Sequence, residues 1–464
     1  RKERGGGNTP ARDTRAGRHA RGPSGAAAGV GNSCIMDPNH YPKETPCRAF
    51  ATGIPECAIN TGSVRMDRHV KPLAWTVVVT GMLIAMVSIV FGRLAFGLIL
   101  PFMRADLGLG YGQAGNLVMA SSLGYLGLVM VAGMFAARHG GRAAIALGLC
   151  LAVAGFSGLG LSSAYPLLLM WMALLGFGTA FAYTPAVSLL AGWYPERRGA
   201  IIGFLNSGVG IGMLISGTFI PYVAKTIEPH GWRLVWGIFA IAALAGIGAT
   251  AFFLRPPPGG GNARAAAQPP LEKAAVYGNP HVVTVGLLYG VTGITYLVQA
   301  IFMYSFTLDA GIPPVAAGRL VAVSAAISVF SGPVSGWMSD RLDRSLVLLS
   351  SCVATLIAFL IPVFWPSYAG FATHYLIIGC TLPAMFISVL ALSTDKVDAR
   401  HAPLAVSYVT LFFAIGQVIG PGAIGMVIER TGEFKTAFLL TSMVLALGIC
   451  LAWKLAGFRP RVQA

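Results

Sequence analysis

Long apolar runs are the feature that most limits how this chain can fold. From about residue 73 to residue 455 the sequence is a succession of nearly uncharged runs of about 20 residues, each long enough to cross a hydrocarbon core of ~30 Å as a helix. In lipid such a segment must satisfy its backbone N–H and C=O groups internally, and the alternation typical of a membrane barrel strand is missing. The sequence therefore predicts an all-α membrane protein.

Composition agrees with this prediction. Of the 464 residues 55% are hydrophobic and 11% are charged, against ~25% charged residues in an ordinary soluble domain. Hydropathy and helix-breaking residues then divide the chain into twelve predicted spans. They lie near 73–100, 115–136, 143–161, 166–192, 200–223, 232–254, 282–306, 316–338, 345–364, 370–393, 402–427 and 435–455.

An internal repeat divides these spans into two sets of six. The segment "DLGLGYGQAGNLV" from Asp106 is repeated as "DAGIPPVAAGRLV" from Asp309, an offset of 203 residues. The same offset carries Gly133 onto Gly336 and Arg138 onto Arg341. The repeat predicts two pseudo-symmetric six-helix bundles, residues 72–254 and 280–458, joined by a Pro/Gly/Ala-rich cytoplasmic linker over 255–279 and followed by a short cytoplasmic tail over 459–464.

Residues 1–71 have a different composition. They are rich in Arg, Gly and Pro and lack apolar periodicity, so we expect a disordered cytoplasmic tail. Met66, just ahead of the first span, favours an over-extended start as the origin of much of this segment. The net charge of +16 is also typical of nucleic-acid-binding proteins, but we expect no nucleic-acid partner for a chain of spans.

Basic residues predict the orientation in the membrane. With the N-terminus inside, the inner connections contain many more arginines and lysines than the outer ones, which places both termini in the cytoplasm. The inner set is Arg138, Arg142, Arg197, Arg198, Arg255, Arg264, Lys273, Arg341, Arg344, Lys396 and Arg400, and the outer set is Arg104, Lys225, Arg233, Arg430 and Lys435.

Two loop motifs carry a resemblance to a known family. The segments "GMFAARHGGR" and "GWMSDRLDR", each after the second helix of a half, resemble the loop signature of the major facilitator superfamily. The first copy has Ala137 where the family has an acid. The resemblance implies that these residues gate the inner side, and a purely topogenic role of the arginines is the alternative. The gating candidates are Gly133, Arg138, Arg142, Gly336, Asp340, Arg341 and Arg344.

A narrower resemblance lies in the first span. The segment "FGRLAFGLILPFMRADLGLGYGQAG" is similar to the YbfB-like bacterial permeases and, more loosely, to monocarboxylate and oxalate/formate carriers. This resemblance implies a carrier in a bacterial inner membrane. The superfamily resemblance implies alternating access, with the substrate between the two halves on faces of the first, fourth, seventh and tenth helices, and we expect a monomer.

Arg93 is the main candidate for substrate binding. Its guanidinium cannot lose its charge and lies too deep in the span to reach the headgroups easily. The 203-residue offset places Tyr296 opposite it, and a guanidinium with a phenol suits a carboxylate. Because no Asp or Glu lies well inside a predicted span, we expect an anionic substrate as its partner. The alternative is a permanent bond to backbone carbonyls or to an acid on another helix.

Other polar residues in the spans are weaker candidates. Such side chains line transport paths, but they also commonly tie membrane helices together. The set is Tyr125, Asn206, Gln299, Tyr304, Tyr408 and Gln417.

Together these features predict a secondary active transporter of a small organic anion, a mono- or aromatic carboxylate, by proton symport or anion exchange. The alternative is an exporter of drug-like or metabolite molecules, for which Arg93 is mainly architectural. We expect no enzyme, since the eight His are scattered and form no cluster with acids or with a nucleophile. The seven Cys show no metal-binding spacing, so no metal or other cofactor is expected.

Overall fold

The computed structural model describes residues 75–193, 198–254, 274–398 and 401–457, all within one compact unit, Lys71–Ala464. The predicted tail over 1–71 and most of the predicted linker lie outside these ranges. Across the described residues the chain is helical without a strand, and twelve helices are long and apolar enough to cross a membrane. The all-α, twelve-span prediction is confirmed.

The first half contains six long helices. The first, α1, has three consecutive pieces, Trp75–Ala85, a π-helical segment Met86–Leu94, and Phe96–Leu107. The others are α2 Tyr111–His139, α3 Gly141–Leu161, α4 Tyr165–Trp193, α5 Arg198–Thr226 and α6 Gly231–Phe253.

The second half repeats this arrangement after a short helix, Ala274–Tyr277. Its long helices are α7 Pro280–Asp309, α8 Pro314–Arg341, α9 Arg344–Phe364, α10 Tyr368–Leu392, α11 Ala402–Thr431 and α12 Phe434–Gly457. Most predicted boundaries agree to within a few residues. The main difference is α1, which continues through Pro101 to Leu107 before the chain turns.

Local chemistry explains several helix ends. Gly108 ends α1 and Gly432 ends α11 with φ of 65° and 69°, a left-handed conformation that favours glycine. Three helices begin with a side-chain cap, in which a side-chain oxygen accepts a hydrogen bond from a backbone N–H of the first turn. The capping residues are Asn279 for α7, Asp343 for α9 and Ser367 for α10. These capped ends lie between the predicted spans, where the hydropathy of the sequence is low.

The sequence repeat recurs in the packing within each half. Gly176 of α4 lies against the backbone of Ser121 in α2, so that a Cβ at this position would overlap the Ser121 carbonyl. The residues 203 positions later make the same crossing, with Gly379 of α10 against Ser324 of α8. In both halves the absent side chain lets two helix backbones approach closely.

Matching glycines also join the halves. Gly115 of α2 packs against Gly425 of α11, and Gly217 of α5 packs against Gly318 of α8. These crossings lie toward the end that carries the α1–α2 connection, which we call the closed end. The halves are thus in backbone contact there.

The opposite end, which carries the α2–α3 connection, is called the open end. Gly133 lies three helical turns beyond Ser122 on the face of α2 that meets α11, yet a Cβ there would have no neighbour within 4 Å. On α8, Gly336 continues the face of Gly318 and has equally open surroundings. The same helix faces that touch at the closed end are therefore apart at the open end.

The two ends of α8 give a stability prediction. Replacing Gly318 with Ala puts a methyl group into the Gly217 carbonyl, and we expect the free energy of unfolding to fall by about 1–3 kcal/mol. Gly332→Ala, on the same helix with open surroundings, should gain up to about 1 kcal/mol from helix propensity. Thermal unfolding in detergent measures both. Equal midpoints for the two variants would contradict close packing at the closed end.

A carboxylate strengthens the contact between the halves at the closed end. Glu429, in the last turn of α11, accepts hydrogen bonds from the backbone N–H groups of Tyr111 at 2.5 Å and Gly112 at 3.3 Å. These are orphan donors at the first turn of α2, where the helix dipole also favours a negative charge. Glu429 of the second half thus caps a helix of the first.

Removing this cap should destabilise the structure in a graded way. We expect Glu429→Ala to lower the free energy of unfolding by about 0.5–2 kcal/mol. Glu429→Gln keeps an acceptor oxygen and should lose less, because only the charge is removed. Thermal unfolding at low salt gives the order wild type, Gln, Ala. A Gln variant as unstable as the Ala variant would show that the amide cannot replace the carboxylate as a cap.

Candidate functional site

The backbone around Arg93 departs from a regular α-helix. Over Met86–Leu94 the helix is wound more widely, and the N–H of Ala95 donates to the carbonyl of Val90, five residues back, at 2.8 Å. The Thr179 hydroxyl of α4 has two acceptors at 2.9 Å, the Ser88 carbonyl of this segment and the Leu175 carbonyl of its own helix. A side chain from another helix thereby bonds to the backbone of the π-helical segment that carries Arg93.

Arg93 is buried, at 9% exposure, and its bonds are to neutral groups. One terminal nitrogen, Nη2, donates to Ser122 Oγ at 3.1 Å and to Gln417 Oε1 at 3.0 Å. The guanidinium carbon lies 5.1 Å from the ring centroid of Tyr125, within cation–π range. We call Arg93, Ser122, Tyr125 and Gln417 the guanidinium site.

No carboxylate of the described residues pairs with Arg93. The described residues therefore do not support the alternative of a permanent acidic partner for Arg93 on another helix. A charge buried among neutral groups has lost hydration without gaining a counter-ion, which is costly in a low-dielectric setting. The guanidinium also has five N–H donors, more than its two protein acceptors use.

Aromatic rings from the second half lie across from this charge. Tyr296, the predicted counterpart, lies near Arg93, and its ring packs edge-to-face on Phe386 with centroids 5.2 Å apart. Phe413 stacks on Tyr289 at 4.5 Å and lies 6.4 Å from Tyr296. These four rings, from α7, α10 and α11, form what we call the aromatic wall.

A second tyrosine of the first half completes the group. The Tyr183 hydroxyl of α4 donates to Asn206 Oδ1 of α5 at 3.0 Å. Tyr183 also lies near Tyr125 and Tyr296. The charge of Arg93 thus belongs to the first half, and the second half contributes the Gln417 amide and the aromatic wall.

Comparison with known proteins decides the family. The sequence profile of the Major Facilitator Superfamily matches residues 82–402 and 288–463. The chain belongs to the major facilitator superfamily. It is a multi-pass membrane transporter, not an enzyme, and the expected family is confirmed.

Named relatives of this superfamily member are distant. It is 25% identical over 334 residues to monocarboxylate transporter 11 of Homo sapiens, covering 67% of this chain and 68% of that one, and it spans 63% of the mouse protein of that name. It is 30% identical over 364 residues to the probable nitrate/nitrite transporter NarK2 of Mycobacterium tuberculosis, covering 74% and 87%. The hexuronate transporter of Bacillus subtilis is 21% identical over 373 residues, covering 75% and 86%.

A solved structure shares the fold. A bacterial homologue of the human lysosomal transporter Spinster, in an inward-facing conformation, gives a TM-score of 0.70 at 19% identity, covering 83% of this chain and 98% of that one. At this identity the likeness extends to the superfamily fold alone.

The structure does not bring every predicted residue to Arg93. Tyr304 lies about 12 Å farther along α7 than Tyr296, and its hydroxyl donates to the Pro314 carbonyl at the start of α8. Gln299 is buried one turn beyond Tyr296 and makes no hydrogen bond with a described residue. Tyr408 packs near the open end, where its ring meets Tyr277 at 4.8 Å. Tyr304 and Tyr408 thus have structural contacts outside the group around Arg93.

The superfamily loop residues lie at the open end, where two of their arginines bond within their own halves. Arg142 donates to the Ala251 carbonyl of α6, and Arg344 pairs with Asp395 beyond α10 at 2.5 Å. Arg138 is exposed, and the guanidinium of Arg341 lies 4.6 Å from the Trp337 ring centroid. The Asp340 side chain lies outside the described residues. The gating role stays a prediction.

Several residues of the group were missed by sequence reasoning, namely Ser122, Tyr183, Tyr289, Phe386 and Phe413. The repeat contained a signal for two of them, because the 203-residue offset pairs Tyr183 with Phe386 as it pairs Arg93 with Tyr296. Tyr289 lies seven residues before Tyr296 and so on the same helical face. Ser122 had no such signal, because small hydroxyl residues are common throughout the spans.

The Thr179 contact gives a prediction about the Arg93 segment. Thr179→Val keeps the shape but leaves the buried Ser88 carbonyl without its side-chain donor, so the free energy of unfolding should fall by about 1–3 kcal/mol. Thr226→Val removes an exposed hydroxyl that bonds within its own helix and should cost less than about 0.5 kcal/mol. Thermal unfolding compares them. Similar midpoints would contradict a structural role for the Thr179 bond.

Proposed function

We propose that this superfamily member is an alternating-access carrier of a small organic anion, a mono- or aromatic carboxylate, in a bacterial inner membrane with both termini in the cytoplasm. One observation carries the proposal. Arg93 is buried between the halves, with a fixed charge that only neutral side chains of the described residues contact. A carboxylate is the ligand that would compensate this charge with two parallel hydrogen bonds.

The surroundings of Arg93 support the aromatic or apolar body of such a substrate. A carboxylate on the guanidinium would point its remaining atoms toward Tyr296 and the aromatic wall. Rings there offer edges and faces to a planar or apolar group. Relatives named as transporters of monocarboxylates, nitrate/nitrite and hexuronate are consistent with an anion, since all three substrates carry negative charge.

The direction of opening fits an inward-facing carrier under this proposal. The open end bears the loop arginines Arg138 and Arg142, which the positive-inside rule assigns to the cytoplasm. The closed end then faces outward, where the glycine crossings and Glu429 seal it. Two mechanisms of energy coupling fit this proposal, proton symport and anion exchange.

The test is substitution of Arg93. In proteoliposomes, Arg93→Ala should lower uptake of labelled lactate or benzoate by about 100-fold, because charged hydrogen bonds are worth about 1.5–3 kcal/mol each. Arg93→Lys keeps the charge but loses the planar fork, and we expect about a tenfold loss. Arg430→Ala, an exposed arginine in the last turn of α11, is the matched control and should transport normally.

Membrane insertion and thermal stability of the variants must stay close to wild type for this test to apply. Unchanged carboxylate flux in a well-folded Arg93→Ala protein would reject the proposal. That result would favour the alternative of an exporter of drug-like or metabolite molecules, in which Arg93 has an architectural role.

A further inference from the structure

The two protein acceptors of Arg93 belong to different halves. Ser122 lies on α2, in the same half as Arg93, whereas Gln417 lies on α11 in the other half. Gln417 is flanked by Gly416 and Gly420, which pack directly on the backbone of α7 at Gly290 and Ile294. The Gln417 side chain is therefore tied to the second half, and its bond to Arg93 crosses the plane between the halves.

The hydrogen bond from Arg93 to Gln417 is intermediate in strength. An amide oxygen satisfies a guanidinium N–H but carries no charge. A carboxylate binds the same donor about twice as strongly and can engage a second donor in parallel. Gln417 can therefore hold Arg93 and yet be displaced by an anion, which a glutamate at the same position could not be.

The return of a carrier without cargo poses a specific problem for a buried arginine. When the halves close around an unpaired guanidinium, the charge loses its water without gaining another partner. The free-energy barrier to the conformational change of the empty carrier therefore rises. A carrier with this barrier would exchange anions but could not complete a net cycle. Near Arg93, Ser122 supplies a hydroxyl acceptor, and Tyr125 and Tyr296 supply rings. The Gln417 amide oxygen is therefore a stronger neutral acceptor for the guanidinium than the Ser122 hydroxyl.

We propose that Gln417 is a positioning residue that replaces the substrate carboxylate on Arg93 while the carrier returns without cargo, and so allows net transport instead of obligatory exchange. This inference rests on the proposed anion transport. It selects between the two energy mechanisms left open above, because symport requires an unloaded return and exchange does not.

The experiment compares two transport modes in the same proteoliposomes. Labelled lactate and benzoate enter either empty vesicles, which reports net uptake, or vesicles preloaded with the same unlabelled acid, which reports exchange; protein-free vesicles give the leak. For Gln417→Leu we expect net uptake to fall at least about tenfold while exchange stays within about twofold of wild type. Retained exchange also demonstrates that the variant is folded.

Two further proteins sharpen the result. Gln417→Glu keeps the length of the side chain but adds a fixed counter-ion, so both modes should fall at least about tenfold and the KM for the acid should rise. Thr373→Val removes a hydroxyl whose one hydrogen bond among the described residues is to the Ala369 carbonyl of its own helix, and it should leave both modes unchanged.

The outcomes separate the two proposals. Wild-type protein that exchanges either acid but shows no net uptake overturns the role of Gln417 and leaves anion transport intact. A Gln417→Leu variant in which both modes fall equally also overturns it, because the amide would then act in binding alone. Wild-type protein that moves neither acid in either mode rejects the anion proposal itself, and the inference with it.

Discussion

A positive charge that cannot be removed, placed in the middle of a membrane-spanning helix, constrains much of this structure. Arg93 cannot be deprotonated and cannot be left without acceptors, so neighbouring helices must supply them. The fold does so with a hydroxyl, an amide and a ring and with no acid among the described partners. This choice leaves the net charge in place. An acidic partner would have lowered the free-energy cost of burying the arginine, but it would also have prevented the arginine from binding an anion.

Glycine crossings explain how the rest of the protein can move around this charge. The halves meet at the closed end through backbones, at Gly115 with Gly425 and at Gly217 with Gly318. Backbone contact needs little rearrangement of side chains when two helices separate, whereas interdigitated large residues would have to unpack. Since the matching faces continue without contact toward the open end, the same surfaces can serve either end in turn.

The sequence predicts most of the fold because its main signals are local. Twelve apolar runs, their order and the 203-residue repeat determine the helices and the correspondence between halves, and they also single out Arg93 and Tyr296. Tertiary contacts are what the local signals leave open. Tyr304 was a weaker candidate than Tyr296, and it lies about 12 Å farther along the helix, where its hydroxyl donates to a carbonyl of α8. Nothing local distinguished Gln417 from Gln299, since only the packing of α11 against α7 and α2 brings one of them to the guanidinium. The π-helical segment was likewise unpredictable, because the hydroxyl that donates to its Ser88 carbonyl comes from Thr179 of another helix.

The symmetry of the scaffold makes its asymmetry at the centre informative. The repeat equates Arg93 with Tyr296, Tyr183 with Phe386, and Tyr125 with Ser328, so the two halves share helices but not chemistry. Around Arg93 the first half supplies the charge and the Ser122 and Tyr183 hydroxyls, and the second half supplies four rings and the Gln417 amide. A symmetric site would bind a symmetric ligand in two equivalent orientations. Here a charged side differs from an aromatic side, so a carboxylate substrate of the kind proposed would have one favourable orientation. Because the charged side belongs to α1 and α2 and the aromatic side to α7 and α10, such a molecule would contact both halves at once. Its binding energy would then depend on their relative position, which is the differential affinity that a ligand needs in order to shift a conformational equilibrium.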